Sequence, residues 1–273
     1  MERGGEFMKY YVVADIHGFF KEFKVALEEK GFFEDKGPHQ LIVCGDLFDR
    51  GNEAQELQYF ILELLKKKEV ILIKGNHEDL FLNLIDDADY WMTSGIIRTH
   101  HWSNGTVGTA LQLTRMDLND ALDHPNEFKA KAKSTPFYQT IIPAMRNYFE
   151  TKNYIFVHGW IPCKASGRGV QKYDTFYFVD NWREQGEEEW YNARWFNGMA
   201  AAYNGIYEEN KTIVCGHWHC SYGHAILENK GNEFGEDADF SPYYGKGIIA
   251  IDACTSYSKK VNCIVIEDEE IKE

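Results

Sequence analysis

The stretch EVILIKGNHED, from Glu69 to Asp79, joins an apolar run to a polar cluster. Its first half is rich in β-branched residues, a composition that favours a buried strand. Its second half contains Gly75, Asn76 and His77, although a turn needs only the glycine and the asparagine. The added histidine therefore indicates that this strand ends at a chemically active edge.

Four further apolar runs end in polar clusters of the same kind. They are YYVVADIHG from Tyr10, LIVCGDLFDRG from Leu41, YIFVHG from Tyr154 and TIVCGHWH from Thr212. Nearly continuous apolar strands suit a sheet that is covered on both faces. Because ligands of α/β folds bind beyond the carboxyl ends of such strands, we expect the clusters to converge at one edge.

Two amphipathic stretches separate the first three predicted strands. Phe19 to Lys30 places Phe20, Phe23 and Leu27 on one face, and Glu53 to Lys68 carries a similar apolar stripe. Apolar residues at this spacing predict helices, and the resulting βαβ alternation is typical of an α/β fold. The runs GIIAIDA and VNCIVIED predict two more strands after the last polar cluster.

Residues 80–151 follow a different pattern. Helix-like patches alternate there with Trp91, Trp102 and the turn signal SNGT, and no strand is apparent. We interpret this segment as a helical insertion packed beside the site, within a single domain that covers residues 8–273. The opening MERGGEF, residues 1–7, has no periodicity and is interpreted as a remnant of cloning that precedes a natural start at Met8.

Composition and charge exclude several classes of protein. Of the 273 residues, 44% are hydrophobic and 15% are aromatic, which is enough for a substantial core. The formal net charge of −14 argues against long nucleic acid and anionic membranes as partners, since both bind many lysine and arginine side chains. No apolar run has the length of a membrane span. Six cysteines without a CxxC pair, and no signal peptide, predict reduced thiols in a cytoplasmic protein.

The polar clusters offer carboxylate and amide oxygens together with imidazole nitrogens. This mixed set suits first-row divalent metals better than it suits calcium. The candidate ligands are Asp15, His17, Asp46, Asn76, His158, His217 and His219. They are too many for one tetrahedral ion, and they fit two ions that share a carboxylate.

The motifs DIHG, GDLFDRG, GNHE, VHG and GHWH, in this order, resemble the five motifs of the calcineurin-like metallophosphoesterase superfamily. The DRG and GNHE forms resemble its phosphoprotein phosphatase branch, which holds bacterial and phage protein phosphatases and symmetrical diadenosine tetraphosphatases. The resemblance implies a four-layer α/β/β/α sandwich of two facing mixed β-sheets flanked by helices. It also implies two divalent transition-metal ions, with Mn as the first expectation and Fe, Zn, Ni or Co as alternatives that the same ligands tolerate.

The same resemblance divides the ligands between two metals. Asp15 and His17 would bind the first, Asp46 would bridge both, and Asn76, His158 and His217 would bind the second. Two expectations stay open for His219. The second histidine of a GHxH motif binds the first metal in the wider superfamily, whereas the phosphatase branch usually lacks this histidine.

The resemblance also implies roles in catalysis. His77 would protonate the leaving alkoxide after attack by a metal-bridging hydroxide, and Asp49 would orient its ring. Arg50 would hold the phosphoryl oxygens bidentately. A second phosphate clamp is expected from Arg194 in WYNARW, one residue out of step with the motif, and WSNG suggests that Asn104 lines the substrate pocket.

These residues support several functions. The first is a phosphoesterase of phosphomonoesters, with phosphoserine and phosphothreonine in proteins as candidate substrates. The second is a hydrolase of dinucleoside polyphosphates, so the substrate is a phosphorylated small molecule, a nucleotide or a phosphoprotein. A regulator that binds metal or phosphate without turnover is disfavoured by the intact His77, Asp49 and Arg50. The net charge disfavours a nuclease-like phosphodiesterase.

Some of these residues also have non-functional interpretations. Asp49 and Arg50 could be a surface pair at a helix start, and Arg194 could be a solvated charge in an aromatic-rich helix. Histidines that match no motif are expected at the surface or at the pocket rim: His100, His101, His124 and His224. Five aromatic residues are expected in the core, although they can stack a base: Trp182, Trp190, Tyr191, Trp195 and Phe196.

Overall fold

The computed structural model describes residues 7–269, apart from the side chain of Met92. Its strands are β1 Phe7–Val13, β2 His39–Cys44, β3 Val70–Ile73, β4 Phe149–Glu150, β5 Tyr154–Phe156, β6 Lys164–Ala165, β7 Phe176–Tyr177, β8 Thr212–Cys215, β9 Tyr243–Gly245, β10 Ile248–Ala250 and β11 Cys263–Glu269. They form two larger sheets and one small hairpin.

Helices connect most of these strands. They are α1 Phe20–Glu29, α2 Ala54–Lys67, α3 Asn76–Asp86, α4 Ala88–Ser94, α5 Thr99–Ser103, α6 Thr106–Thr114, α7 Leu118–Asp123, α8 Pro125–Ser134, α9 Ile142–Ala144, α10 Glu187–Ala193, α11 Gly198–Tyr203, α12 Cys220–Tyr222 and α13 Thr255–Ser258. Short π-helical turns at Phe137–Ile141 and Gly223–Leu227 and a 3-10 turn at Trp182–Glu184 complete the helical elements.

Both larger sheets are mixed. The first has the order β11-β1-β2-β3, in which β1, β2 and β3 are parallel and β11 is antiparallel to β1. The second has the order β4-β5-β8-β10-β9, with β5, β8 and β10 parallel and an antiparallel strand at each edge. The carboxyl ends of all six parallel strands carry the loops that build the site.

The two sheets pack face to face, with helices on both outer faces. Val12 of β1 and Val214 of β8 belong to one apolar cluster between the sheets. Val13 packs outward with residues of α1 and α2, and Ile213 packs outward with residues of α10 and α11. Successive residues of a strand face opposite sides, so both faces of these strands are buried and their sequences read as continuous apolar runs. The predicted four-layer α/β/β/α sandwich is confirmed.

The predicted elements agree closely with the observed ones. Helices α1 and α2 lie within Phe19–Lys30 and Glu53–Lys68, β10 lies within the run GIIAIDA, and β11 begins in VNCIVIED and ends one residue beyond it, at Glu269. Residues 80–151 are mainly helical, but the expectation of no strand there is wrong, because β4 pairs with β5 at the end of this segment. Two residues are too few to show a strand period. The division into a single domain stays a prediction.

The interpretation of MERGGEF concerns residues that are mostly outside the described range. Residues 1–6 lie there, whereas Phe7 begins β1 and pairs with Glu269. Among residues 7–269, no helix combines the length and the apolar character needed to cross a membrane.

Candidate metal centre

The loops of the site leave their strands with left-handed backbone. The φ angle is 53° at Asp15, 55° at Asp46 and 65° at His217. Non-glycine residues rarely adopt positive φ, and such strain is concentrated at functional sites. Glycines give the carboxylates room, since a Cβ at Gly75 would collide with Asp46 and one at Gly216 would collide with Asp15.

Asp46 lies between two groups of side chains that could hold a metal ion. Its Oδ2 is 3.8 Å from Nε2 of His17 and 3.7 Å from Nε2 of His77. Its Oδ1 is 3.3 Å from Nε2 of His158, and His217 completes the second group. Within each group the ligand atoms lie within 4.8 Å of one another. A carboxylate in this position can bridge two ions.

The other predicted ligands join the same centre. Oδ1 of Asp15 is 4.0 Å from Nε2 of His17, and Oδ2 of Asp15 accepts a 2.9 Å hydrogen bond from the backbone N–H of His217. Oδ1 of Asn76 is 2.8 Å from Nε2 of His158. The tertiary structure thus brings together residues that are about two hundred positions apart in the chain.

His219 points elsewhere. Its Nε2 is 2.8 Å from Oε1 of Glu233, and its ring packs 4.8 Å from the ring of Phe234. Among the described residues, it belongs to neither group of metal-ligating atoms around Asp46. Its role as a ligand stays a prediction, and binding would require His219 to leave Glu233.

The orientation of the histidine rings fits metal binding. Nδ1 of His17 donates to the carbonyl oxygen of Phe48 at 3.0 Å, and Nδ1 of His158 donates to that of Cys44 at 2.8 Å. Backbone carbonyls commonly orient metal-ligating histidines in this way. Burial lowers the pKa of both rings, and the charge of Arg50 lowers that of His17 further. The neutral rings therefore present Nε2 lone pairs to Asp46.

A third carboxylate near the centre was missed from the sequence. Asp252 follows β10 and is buried, and its Oδ1 accepts a 2.6 Å hydrogen bond from the backbone N–H of Cys254. Burial, together with the charges of Asp252 and Asp46, raises the pKa of Asp15 well above its usual value. Buried carboxylates at this density favour a bound cation. The sequence contains a signal for this residue, because Asp252 follows the apolar part of the run GIIAIDA as the predicted ligands follow theirs.

Glu78 joins two of the motif loops. Its carboxylate accepts hydrogen bonds from the backbone N–H groups of Gly75, Asp46 and Leu47, at 2.7, 3.1 and 3.0 Å. Burial and the charge of Asp46 raise the pKa of Glu78 to about 7. No role was predicted for Glu78, although it is the last residue of GNHE.

His77 and Asp49 form a buried pair. Nδ1 of His77 lies 2.7 Å from Oδ2 of Asp49, which also accepts a 2.8 Å hydrogen bond from the hydroxyl of Thr106. Burial opposes protonation of His77, but Asp46 and the hydrogen bond to Asp49 raise its pKa above the usual value. The alternative of a surface position is wrong for Asp49, which is 1% exposed.

Arg50 reaches into the centre from an exposed position. Its Nη1 lies 2.5 Å from Nε2 of His17, and its Nη2 lies 3.1 Å from Nε2 of His77. The backbone of Arg50 packs closely against Gly105, where a Cβ would collide with it. The WSNG segment therefore lies beside the site, although the amide of Asn104 donates to the carbonyl of His100.

Arg194 is buried, so the alternative of a solvated charge is wrong. Its guanidinium donates to Asp79 at 2.7 Å, to Asn147 at 2.9 Å and to Glu187 at 2.6 Å. Substrate binding by Arg194 stays a prediction. The exposed Glu187 is the partner that a substrate could most easily displace.

A cavity of about 1010 Å³ adjoins the centre at His217. Trp195 and Trp218 form part of its wall, and each ring centroid is 5.9 Å from that of His217. Lys164 and Arg168 are the cationic residues of the lining. The cavity thus combines aromatic surface with positive charge directly beside His217, a candidate metal ligand.

A family model described as calcineurin-like phosphoesterase matches residues 8–238. The chain belongs to this family. The match confirms the resemblance of the five motifs and covers every residue assigned to the centre except Asp252. The carboxylate, amide and imidazole groups around Asp46 fit two metal ions that share this carboxylate.

The relatives found include two kinds of nucleotide hydrolase. The symmetrical bis(5'-nucleosyl)-tetraphosphatase of Buchnera aphidicola subsp. Schizaphis graminum is 42% identical over 78 residues, which is 29% of this chain and 26% of that protein. The asymmetrical bis(5'-nucleosyl)-tetraphosphatase PrpE of Bacillus cereus strain B4264 is 28% identical over 176 residues, 62% of this chain and 64% of that protein. The chain thus spans about a quarter of the first relative's length and under two thirds of the second's.

A solved serine/threonine protein phosphatase from Saccharomyces cerevisiae is also similar. It is 14% identical with a TM-score of 0.45, over 97% of this chain and 81% of that chain. Because the phosphoprotein phosphatase branch holds the diadenosine tetraphosphatases, the sequence relatives agree with the branch that DRG and GNHE indicate.

Proposed function

We propose that the protein is a dinuclear metal-dependent phosphoesterase that hydrolyses phosphomonoesters, with phosphoserine and phosphothreonine of proteins as candidate substrates. The position of Asp46 between two groups of ligand atoms is the observation that carries this proposal. Asp15 and His17 would hold the first ion with Asp46, and Asn76, His158 and His217 would hold the second. When bound, the ions supply Lewis acidity and activate water for attack on phosphorus. We propose Mn as the first candidate metal.

His77 is proposed as the acid that protonates the leaving alkoxide. Asp49 accepts from Nδ1, which directs Nε2 toward Asp46, at 3.7 Å from its Oδ2. To deliver a proton, His77 must carry it on Nε2, the atom that faces the Arg50 guanidinium in this arrangement. Arg50 therefore has to turn from His77 to the phosphoryl oxygens when substrate enters. Its exposed side chain leaves it free to do so.

The first experiment is to purify the protein without added metal and measure the metals it holds. It is then assayed with manganese on p-nitrophenyl phosphate, a phosphopeptide and diadenosine tetraphosphate, beside the Asp46→Asn variant. Turnover that disappears in the variant supports the two-metal chemistry. If no substrate is turned over with two ions bound, the proposal fails and a regulator that binds metal or phosphate takes its place.

A second candidate is hydrolysis of dinucleoside polyphosphates, which the cavity beside His217 favours. Trp195 and Trp218 provide flat surface on which a base can stack, and Lys164 and Arg168 can pair with further phosphates. The tetraphosphatase relatives act on such substrates by name. A phosphoanhydride leaving group also needs an acid less than an alkoxide does.

ATP and inorganic tripolyphosphate separate the two candidates, because only ATP carries a base. If the cavity binds a base, ATP has the higher kcat/KM, and Trp218→Ala removes most of this preference. The control is Tyr203→Ala, which alters an exposed aromatic residue at the end of α11 that does not line the cavity. Equal kcat/KM for ATP and tripolyphosphate in wild type and both variants would exclude hydrolysis of dinucleoside polyphosphates as the function.

We also propose a cytoplasmic location and a phosphorylated small molecule, nucleotide or phosphoprotein as the partner. The net charge of −14 supports the proposal that neither long nucleic acid nor an anionic membrane is bound.

A further inference from the structure

A separate cluster of metal-ligating side chains lies in the helical insertion. Asp87 stands at the junction of α3 and α4, and His100 and His101 belong to α5. Their ligand atoms lie within 4.8 Å of one another, and the two imidazole centroids are 3.9 Å apart. None of these residues belongs to the groups around Asp46 among the residues that the structure describes.

His101 is fully buried, so the expectation of a surface or rim position is wrong for this residue. Its Nε2 is 3.1 Å from Oδ2 of Asp87, and its Nδ1 has no hydrogen-bond partner within the described part of the chain. Nε2, which faces Asp87, is therefore the ring nitrogen that can bind an ion shared with this carboxylate.

The cluster is accessible to an ion from one side. His100 is exposed and the Asp87 side chain is 26% exposed, so solvent can supply a fourth ligand. Nε of Arg98 competes, because it lies 3.0 Å from Oδ2 of Asp87. Arg98 is itself 49% exposed and packs over the ring of Tyr90, so an ion can displace it into solvent at little cost.

We propose that Asp87, His100 and His101 form a third metal site, which takes a zinc ion. Two imidazoles, one carboxylate and a water are a common ligand set for zinc. Ligand atoms around tetrahedral zinc are roughly 3.4 Å apart, a spacing that Asp87 and His101 nearly have already. The ligand atom of the exposed His100 lies within 4.8 Å of those of Asp87 and His101, so this side chain can approach to complete the site.

The site would stabilise the wall of the catalytic centre. Helix α5 has five residues and is too short to be stable by itself. It leads directly to Gly105, which packs on Arg50, and to Thr106, which donates to Asp49. An ion that joins α5 to the α3–α4 junction therefore orders the segment that supports both catalytic side chains.

Zinc stoichiometry by native mass spectrometry tests this proposal. Wild type, His100→Ala and the control His124→Ala are saturated with zinc, the control replacing an exposed histidine of the same insertion. We expect one zinc fewer per chain in His100→Ala than in the other two proteins. Partial filling of the catalytic centre lowers all three counts equally, so the difference between variants is the readout. Equal counts in all three proteins would refute the third site.

Thermal unfolding provides a second readout. Because zinc bound at Asp87, His100 and His101 stabilises the folded state, added zinc should raise Tm more in wild type and His124→Ala than in His100→Ala. Circular dichroism of the metal-free proteins checks that His100→Ala, a change at the surface, keeps the fold. An identical zinc-dependent rise in all three proteins would contradict the proposal.

Discussion

Asp46 is central to the proposed chemistry because both of its carboxylate oxygens face candidate ligands. One oxygen faces His17 and His77, the other faces His158, and the same Oδ1 accepts a 3.0 Å hydrogen bond from the backbone N–H of His77. Although burial opposes ionisation, positive charge on the surrounding histidines, of which His77 has the raised pKa, holds the pKa of Asp46 below its usual range. Asp46 is therefore ionised and available to two cations.

Replacing Asp46 by asparagine should abolish most activity. The amide lacks the negative charge needed to bridge two cations, so we expect fewer bound metals and a loss of kcat/KM greater than the roughly 10–100-fold typical of residues that only support metal ligands. Metal analysis and p-nitrophenyl phosphate assays measure both effects. Asp89→Asn, at an exposed carboxylate of the insertion, is the control. Retention of two metals and full activity in Asp46→Asn would contradict the bridging role.

His77→Asn should discriminate between leaving groups. General acid catalysis contributes roughly 10²–10⁴-fold when an alkoxide leaves, so kcat/KM for an alkyl phosphate should fall by about that factor. An anhydride such as tripolyphosphate should lose far less, because its leaving group is already a weak base. Steady-state kinetics on both substrates measure the ratio, and equal losses would rule out His77 as the acid.

Among the elements, the insertion helices contribute directly to the centre. The start of α6 supplies Thr106, whose hydroxyl donates to the oxygen of Asp49 that faces His77. Thr109, one turn later, accepts from the backbone N–H of Asp49. The insertion therefore holds the turn that carries Asp49 and Arg50.

Thr106→Val should weaken both stability and catalysis. The substitution keeps the shape and removes a buried hydrogen bond to a carboxylate, so the free energy of unfolding should fall by roughly 1.5–3 kcal/mol. Denaturant unfolding measures this change. Thr93→Val is the matched control, because the Thr93 hydroxyl is exposed and bonds only to carbonyls of its own helix. If both variants lose the same free energy, the bond to Asp49 has no special role.

At the scale of the whole molecule, one carboxylate links the two sheets. Asp268 of β11 accepts from the hydroxyl of Thr151 at 2.6 Å and from the backbone and side-chain N–H groups of Asn153 at 2.8 and 2.6 Å. Thr151 and Asn153 belong to the β4–β5 connection of the other sheet. Burial opposes ionisation, but these hydrogen bonds lower the pKa of Asp268 in the folded protein.

The link predicts a pH dependence of stability. Since the pKa of Asp268 is lower in the folded than in the unfolded state, its stabilisation is present above the unfolded value near 3.9 and is lost as pH falls through the folded value. Asp268→Asn should lower the free energy of unfolding at pH 7 by about 1–3 kcal/mol. When urea unfolding is measured at a series of pH values from 5 to 2, the difference in free energy of unfolding between wild type and Asp268→Asn should shrink. A deficit that is constant over this range would show that ionisation of Asp268 does not stabilise the fold.

The sequence by itself indicated the βαβ alternation of the first ninety residues and the convergence of the motif residues at one edge, while the four layers followed from the resemblance of its motifs to the family. This was possible because strand and helix periods are local, and the carboxyl ends of parallel strands must meet. Only the tertiary structure showed the rest: Asp252 beside Asp15, Thr106 on Asp49, His219 turned to Glu233, Arg194 bound within the protein and His101 buried next to Asp87. These contacts join distant segments through side-chain packing, which no local period specifies.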